Sequence, residues 1–566
     1  MIRYEWNEIP WRKLEIKTFK LQKRIYRAMQ QDNIKLVHKL QRLMLASTSA
    51  RILATRKVSQ DNRGRKTAGI DGKIALTQRE RMNLALSINL KGRSKPLRRI
   101  WIAKSGTNEK RPLGIPTIED RAKQALLKMA LEPEWEAKFE PNSYGFRPGR
   151  SGHDAIVAIH NAITKKTGYV LDADISGCFD NINHQVLLNK LATTPMKRRI
   201  IKGWLKAGVI DGEVFYTTKN GTPQGGVISP LLANVALHGL EKDTKNSLAK
   251  DLLEDFKKKT GRSSNIKAQT AISIIRYADD FVVIHENKEI IMKAKATIEK
   301  WLANIGLKLK ESKTNIVHSL NSDNGQKPGF DFLGYTIRQF PDKNKRRGYK
   351  SYTRPSKQGQ KEHLLTIKKI LRNMIAMPQE KVIEKLNPII KGWSNYYTPG
   401  VSSSIFRKMD HKLHKKLWQW SIRRHPDKSR AFVQFKYFRQ HGNYKWRFMT
   451  HGGKFMILHS EHKIKRHIKV IGTKSPYNSD WEYWTTRLGK MPGIKPKLAK
   501  LMKMQQGRCG KCKLFLNSDN VIEIHHNDGN HGNNKYENLV LLHGHCHDII
   551  HSKGMYDKHQ ISRGAV

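Results

Sequence analysis

Residues 273–285 read SIIRYADDFVVIH. Two runs rich in β-branched and aromatic residues, SIIRYA (273–278) and DFVVIH (280–285), meet at Asp279 and Asp280, a pattern that predicts a hairpin with carboxylates at its tip. Aspartate is common in tight turns because its side chain bonds nearby backbone, so a lone Asp-Asp turn carries little functional weight. A second stretch changes its meaning. VLDADI (170–175) is an apolar strand that ends in Asp172 and Asp174. Carboxylates at one strand end, beside a hairpin bearing two more, make an oxygen-rich site for a pair of Mg²⁺ ions. Two such ions about 3.5–4 Å apart stabilise both the attacking and the leaving oxygen of phosphoryl transfer.

Outward from this hairpin, helix-like and strand-like stretches alternate from 73 to about 340. LRRIWIA (97–103), GYVLDADI (168–175), VFYTT (214–218) and FLGYTI (332–337) predict strands; 119–138, 151–166, 184–206 and 287–305 predict helices. The expected fold class is multidomain α+β. Upstream, 11–56 has helical spacing (Leu36, Leu40, Leu43) until DNRGRKTAGIDG (61–72) breaks it. Downstream, SLNSDNGQKPG (319–329) reads as a loop. After the basic stretch KNKRRGYKSYTRPSK (343–357), a mainly helical region runs to about 435. An aromatic and basic segment, 436–488, follows with Tyr437, Phe438, Tyr444, Trp446, Trp481, Tyr483 and Trp484. A last module begins near 492–496.

The 566 residues include 107 Lys+Arg against 48 Asp+Glu, a formal net charge of +59. The length suggests about three to five domains, and an apolar fraction of 38% excludes wholesale disorder. Charge of this size opposes compaction unless a polyanion neutralises it, which points to nucleic acid. The basic residues are spread along the chain instead of gathering on one amphipathic helix, which disfavours a membrane surface. No apolar run approaches about 18 residues, so no bilayer span is expected. The opening MIRYEWNEIPWRK has no apolar core behind its charges and does not read as a signal peptide.

Four cysteines rule out a disulfide scaffold. Cys178 stands alone, while Cys509, Cys512 and Cys546 gather near the C-terminus, as metal ligands in a reducing compartment would. A Cys-x-x-Cys knuckle needs two further soft or borderline ligands for tetrahedral zinc. His543 and Cys546 share the same gap, so Cys509, Cys512, His543 and Cys546 form the expected structural Zn²⁺ site, with His545 as the alternative ligand. A third of the histidines fall in about the last seventh of the chain. Among them His547 and His551, at i and i+4, lie on one helical face and can share one ion.

The peptides DADISGCFDNI (172–182), GTPQGGVISPLLAN (221–234), RYADD (276–280), LKLKESKT (307–314) and FDFLGYTI (330–337) occur in the order and spacing of a reverse transcriptase. KRPLGIPTIEDRAKQ (110–124) and NSYGFRPGRS (142–151) resemble the group II intron-encoded reverse transcriptase/maturases in particular. GWSNYY (392–397) resembles the maturase motif that follows the polymerase in that family, and the likeness covers nearly the whole chain. It implies a right-hand polymerase with fingers and palm at 1–342, a helical thumb/maturase (X) domain at 343–435 and a DNA-binding region at 436–488. At 489–566 it implies a small ββα-metal HNH nuclease with a zinc knuckle.

By resemblance, Asp174 and Asp279 are the two carboxylates that bridge a pair of Mg²⁺ ions, Asp280 is the third acid, and the carbonyl of Ile175 is a further ligand. Phe179, five residues after Asp174, stands where the family places an aromatic gate. A ring there would clash with a ribose 2′-OH and favour dNTPs. Gln224 is expected beside the incoming nucleotide, its neighbouring glycines permitting close backbone approach. Lys104 and Arg111 match the fingers cations that meet the triphosphate, and Lys313 matches the palm lysine. Asp172, on the same strand face as Asp174, reads as a structural acid, Asp180 as a cap or orienting group, and Cys178 as a small buried side chain.

The C-terminal histidines resemble an HNH endonuclease. By that resemblance His525 is expected to join His547 and His551 around one divalent ion, Mg²⁺ or Mn²⁺. His526 would then be the general base on the attacking water, a task suited to a near-neutral imidazole, and Asn538 would orient the loop that presents it. A zinc ribbon that merely grips DNA would need the cysteines but none of these.

In the middle region, RPSKQGQKEHLLTIKKILRN (354–373) has a basic helical face and KLHKKLWQWSIRRHP (412–426) interleaves aromatics with cations, a pattern suited to RNA. Trp393, Tyr396, Trp418 and Trp420 also fit a helical core. The expected partners are group II intron RNA, target double-stranded DNA and dNTPs, with no membrane, for a monomer or a homodimer. The expected location is intracellular, in bacterial cytoplasm or an organelle matrix. The resemblance implies intron splicing assisted by the protein, nicking of target DNA, and copying of the intron RNA from the nick. Intact Asp174, Asp279, Asp280, His526 and His551 disfavour an RNA-binding splicing factor with vestigial sites. The fingers peptides, GWSNYY and the fused nuclease module disfavour a stand-alone polymerase of retron or diversity-generating type.

Overall fold

The acidic hairpin forms as its alternation demands. Ser273–Tyr277 and Asp280–His285 pair antiparallel with Tyr277 opposite Asp280, leaving Ala278 and Asp279 as a two-residue turn. The structure is a computed structural model that describes residues 5–75, 77–103, 110–323, 325–516 and 521–552. In it Ala278 has φ +58°, a left-handed conformation that persists in a non-glycine residue only where the surroundings enforce it. They do. Buried Arg276 donates to Ala278 O (3.0 Å), Asn234 Oδ1 (3.1 Å) and Ser143 Oγ (2.8 Å), while Asn234 Nδ2 donates to Gly145 O (2.8 Å). Gly145 lies so close to the turn that a Cβ there would sit 2.4 Å from Ala278 N.

Tyr169–Asp174 lies between Asp280–His285 and Asn315–His318, completing a four-stranded antiparallel sheet in the order 273–277, 280–285, 169–174, 315–318. Successive side chains point to opposite faces, and both faces are covered. Leu171, Ala173, Phe281 and Val283 pack in one core with Ile291, Ala294 and Ile298 of helix Lys288–Ala303. Val170, Val282 and Ile284 pack in another with Ile156 and Ile159 of helix Gly152–Lys165. Burial on both faces is why these strands read as near-continuous apolar runs. A second sheet, ordered Lys110–Ile115, Leu97–Ala103, Val209–Asp211, Val214–Tyr216, joins its middle strands in parallel. The N-terminal helices Trp11–Gln30, Ile34–Ala46 and Thr48–Arg56 pack on Ile118–Lys138.

Two expected elements divide. The helix expected over 184–206 is two, His184–Leu191 and Pro195–Leu205. Ala192 turns left-handed and Pro195 opens the second helix, where its missing N–H costs nothing. The strand expected over 332–337 is a hairpin: Phe330–Phe332 pairs with Tyr335–Pro341 through Leu333 and Gly334, both at positive φ, as a tight two-residue turn requires. Tyr349–Pro355 adds a third strand to that sheet, so the basic stretch 343–357 is partly strand before the helices begin.

Four helices follow: Lys357–Asn373, Gln379–Tyr397, Ser403–Arg423 and Arg430–Tyr437. The hairpin of Phe438–His441 and Tyr444–Phe448 closes on their core through Phe438 and Phe448, beside Trp420 and Tyr437. The aromatics of 392–397 are anchors: Tyr396 Oη donates to Leu333 O (2.8 Å), Tyr397 Oη to Gly334 O (3.0 Å), and Trp393 stacks on His363 at 4.7 Å. None of the described helices is long and apolar enough to cross a membrane.

The chain then straps back over the sheet. Asp154, wholly buried, accepts from Val470 N (2.8 Å) and Arg487 Nη2 (2.5 Å) and pairs with His467 Nε2 (3.0 Å). Arg150 donates to Gly472 O (2.8 Å). Trp484, 0% exposed, seats against Gly149, where a Cβ would lie 2.5 Å from the ring. Trp484 is therefore core, and of the aromatics in 436–488 it is Tyr444 and Trp446 that are exposed.

Burial alone would raise the Asp154 pKa, but the His467 hydrogen bond and the Arg487 charge hold it well below the usual carboxylate range. A depressed folded-state pKa gives stability that is fully present above the unfolded value of about 3.9 and is lost as pH falls below it. Asp154→Ala removes the buried acceptor shared by half-buried Arg487, His467 and Val470 N, leaving Arg487 its Ile468 O bond, which should loosen the strap by about 1–3 kcal/mol at neutral pH. Hydrogen exchange over 467–487 should rise in that variant, and in the wild type only below about pH 4. Unchanged protection in Asp154→Ala would contradict the tether.

Candidate active site and C-terminal metal centre

At its end, Tyr169–Asp174 runs past Leu307–Lys310. Lys310 N donates to Asp174 O (2.8 Å) and Ser176 N to Lys308 O (2.9 Å). Those bonds flank the bridge between Ile175 and Leu309, so the Ile175 carbonyl takes no bond from that neighbour. The sheet register sets Asp174 opposite Asp280, with Asp279 in the adjoining turn. Lys313 Nζ lies 2.8 Å from Asp174 Oδ2.

Burial raises the pKa of Asp279. Burial, then the charges of Asp279 and Asp174, push Asp280 up to about 7. Asp172 also reaches about 7, through burial and then the charges of Asp280, Asp331 and Asp174. Crowded, half-buried acids repel one another, and a cation among them reverses the shift. Three carboxylates with the Ile175 carbonyl form an all-oxygen donor set, which fits Mg²⁺. Their oxygens are spread, with Asp174 drawn to Lys313. Among the described residues, the groups of three or more whose ligand atoms all lie within 4.8 Å are both in the C-terminal module.

Phe179 is half-buried and meets Phe146 edge-on at 6.3 Å. The loop 221–226 presses against it: Thr222 N donates to Phe179 O, and a Cβ on Gly221 would come within 2.5 Å of Asp180 O. Gln224 Nε2 donates to Asp180 Oδ2 (2.9 Å), while Gly114 N donates to Gln224 O (2.7 Å). Asp180 thus holds Gln224, and the loop is tied to the strand that carries Arg111. A cleft of about 330 Å³ opens here, lined by Arg99, Pro112, Phe179, Asp180, Thr222 and Gln224. Arg111 is exposed, and its charge opposes the burial that raises Asp279 and Asp180. Sequence reasoning missed Arg99, whose charge does more than that of Arg111 to offset burial of Asp180. Lys104 lies outside the described residues. Cys178 is buried, and burial pushes its thiol up to about 12.

In the last module Ile522–His526 and Leu539–His543 pair antiparallel and lead into helix Gly544–Ser552. Cys509, Cys512, His543 and Cys546 bring their ligand atoms within 4.8 Å of one another. His543 Nδ1 is 3.3 Å from Cys512 Sγ and 4.0 Å from Cys546 Sγ. His545 stacks on His543 and stands outside the group. Burial raises the Cys509 thiol, but backbone N–H groups of Cys512, His543 and Lys511 outweigh it and lower the thiol to about 7, toward the thiolate that zinc binds.

His525, His547 and His551 form the second group. His547 Nε2 and His551 Nε2 are 3.3 Å apart. Glu523 Oε2 lies 2.7 Å from His547 Nδ1, which fixes the ring and leaves Nε2 for an ion. Burial and then the neighbouring His547 and His551 lower His525 to about 4, neutral as a ligand must be. His526 points from the other strand face. Among the described residues its buried ring nitrogens have no hydrogen-bond partner, and its ring meets His531 at 4.9 Å. Asn538 clasps the loop between them, donating to Asp528 Oδ1 (2.7 Å) and Asn533 O (2.9 Å) and accepting from Asp528 N (3.0 Å). Glu523 was also missed by sequence reasoning, although its place two residues before His525 puts both on one strand face.

Three known families match along the chain: reverse transcriptase (RNA-dependent DNA polymerase) over 102–337, the N-terminal domain of reverse transcriptase over 6–88, and the group II intron maturase-specific domain over 360–438. Protein YkfC of Escherichia coli (strain K12) is 33% identical over 53% of this chain and 83% of its own. Group II intron-encoded protein LtrA of Lactococcus lactis subsp. cremoris is 33% identical over 43% of this chain and 47% of its own, so the match spans about half of that relative. Maturase-like protein 1 of Euglena gracilis is 27% identical over 68% of this chain and 76% of its own.

The four-ligand group predicts about one tightly held zinc per chain. Cys509→Ser should release it and unfold the module, read as zinc content by mass spectrometry and as exchange over 496–552. Full zinc content in that variant would refute the site.

Proposed function

We infer the function from the family to which this chain belongs, that of the group II intron-encoded reverse transcriptase/maturases. The reading is RNA-directed DNA synthesis joined to intron RNA binding and target-DNA nicking. The observation that carries it is the register that sets Asp174 opposite Asp280 with Asp279 in the adjoining turn, beside the cleft of Phe179 and Gln224.

On this reading Asp174, Asp279 and Asp280, with the Ile175 carbonyl, hold two Mg²⁺ ions. Such ions, when bound, activate a primer 3′-OH and offset charge on the departing pyrophosphate oxygen. The chain's own groups do the positioning. Arg111 and Lys104 draw in the triphosphate, Gln224 is oriented by Asp180 toward the nucleotide, and the Phe179 ring excludes a ribose 2′-OH. Lys313 supplies a cation beside Asp174, as its contact with that carboxylate supports. The fingers and palm occupy 1–342 in this scheme, and the thumb/maturase domain, 343–435, carries the RNA-binding face that assists splicing.

The region 436–488 is proposed to contact target DNA, and 489–566 to nick it. His525, His547 and His551 hold one Mg²⁺ or Mn²⁺, His526 takes the proton of the attacking water, and Asn538 orients its loop. Intron RNA inserts into one DNA strand, the nuclease cuts the other, and the palm copies the RNA from the new 3′-OH. The four free cysteines suit bacterial cytoplasm or an organelle matrix.

Asp279→Ala should slow primer extension on an RNA template by more than about 10²-fold and leave RNA affinity unchanged; extension at the wild-type rate would overturn the metal assignment. His526→Ala should cut strand nicking by about 10²–10⁴-fold without affecting extension. Nicking that survives would leave the module a zinc-dependent DNA grip.

A further inference from the structure

Where helices Ser403–Arg423 and Arg430–Tyr437 meet the Phe438–His441/Tyr444–Phe448 hairpin, a cavity of about 350 Å³ opens to solvent. His414, Lys415, Trp418, Gln419, Gln434, Phe438 and Trp446 line it. Its floor is built: Phe438 is buried and meets Trp418 at 5.5 Å and His414 at 5.3 Å. Its wall is not. Trp446 shares a strand face with Phe448, but Phe448 packs in the thumb core while Trp446 is 52% exposed, and no ring or cation of the described residues stacks on it. Exposed tryptophan beside a fixed aromatic floor leaves a slot for a flat ring.

The polar groups say which ring. Gln419 and Gln434 make no side-chain hydrogen bond among the described residues, and a free carboxamide presents both a donor and an acceptor to a base edge. Lys408, Lys412, Lys415 and Gln419, spaced four, three and four apart, form one exposed stripe on their helix that ends at the cavity. None of these lysines has an acidic partner among the described residues, and Asp410, the acid nearest in sequence, is turned inward to His459. A phosphate track leading into an aromatic slot with free amides fits one strand of nucleic acid with a base unstacked from its neighbours.

We propose that this cavity binds an unpaired base of RNA, held between Trp446 and the Trp418/Phe438 floor, with its edge met by Gln419 and Gln434 and its phosphates on Lys415, Lys412 and Lys408. The choice of RNA rests on the intron-binding role proposed above for the thumb, since the floor and both amides lie within the maturase-specific match.

The test titrates full-length protein into a short single-stranded RNA carrying 2-aminopurine, and into an RNA duplex of equal length. Wild type should quench the probe. Trp446→Ala should abolish the quench and weaken single-strand binding by about 5- to 150-fold, with duplex binding changed by less than about twofold, while Trp446→Tyr restores most of both. Gln434→Ala, which leaves the aromatic floor intact, should lower discrimination among bases. Single-strand affinity and quenching unaltered in Trp446→Ala would overturn this inference alone. A wild type that binds no RNA would overturn the intron-binding reading with it, and quenching confined to the DNA version of the probe would overturn the choice of RNA.

Discussion

One buried guanidinium holds the acidic hairpin in its working shape. Arg276 joins Ser143, Asn234 and the carbonyl of Ala278, so three separate stretches of chain converge on a two-residue turn. Ala278 is left-handed there, and a turn so strained stays put because its surroundings over-determine it. Asp279 is the next residue. Its position relative to Asp174 therefore depends on Arg276 and on the close approach of Gly145, as well as on the sheet.

The stretch 142–154 that supports the hairpin on one side also receives the C-terminal strap on the other. Ser143 and Gly145 face the turn, while Arg150 and Asp154 grip residues 467–487. The helix Gln379–Tyr397 is fixed by a comparable device, since the Tyr396 and Tyr397 hydroxyls bond the Leu333–Gly334 turn. Polar side chains buried between elements distant in sequence thus set the mutual placement of the four-stranded sheet, the helix Gln379–Tyr397 and the strap. Removing any one of them leaves an unsatisfied partner behind, which is why such networks are costly to disturb.

Local pattern made much of this legible. Strands with apolar runs and helices with regular spacing formed where expected, and the ligand spacing of Cys509, Cys512, His543 and Cys546 found its partners. The misreadings have physical causes. Leu333–Gly334 looked continuous with a strand because an apolar residue sat at a position that needs positive φ. Aromatic composition did not reveal that Trp484, among the rings of 436–488, would be the enclosed one; Gly149, the residue that makes room for it, is more than 300 positions away. Glu523 was readable from strand period alone. Arg99 and the Asp180–Gln224 bond were not, since both depend on how the fingers fold over the palm.

Asp174 and Asp279 are proposed to hold a pair of metal ions. The most direct measurement is anomalous diffraction from crystals of the protein with an RNA template, a primer lacking its 3′-OH, a dNTP and Mn²⁺. Two peaks about 3.5–4 Å apart, both bridged by Asp174 and Asp279, with Lys313 displaced from Asp174, are the predicted result. Nucleotide bound in the cleft with no metal on either carboxylate would contradict it.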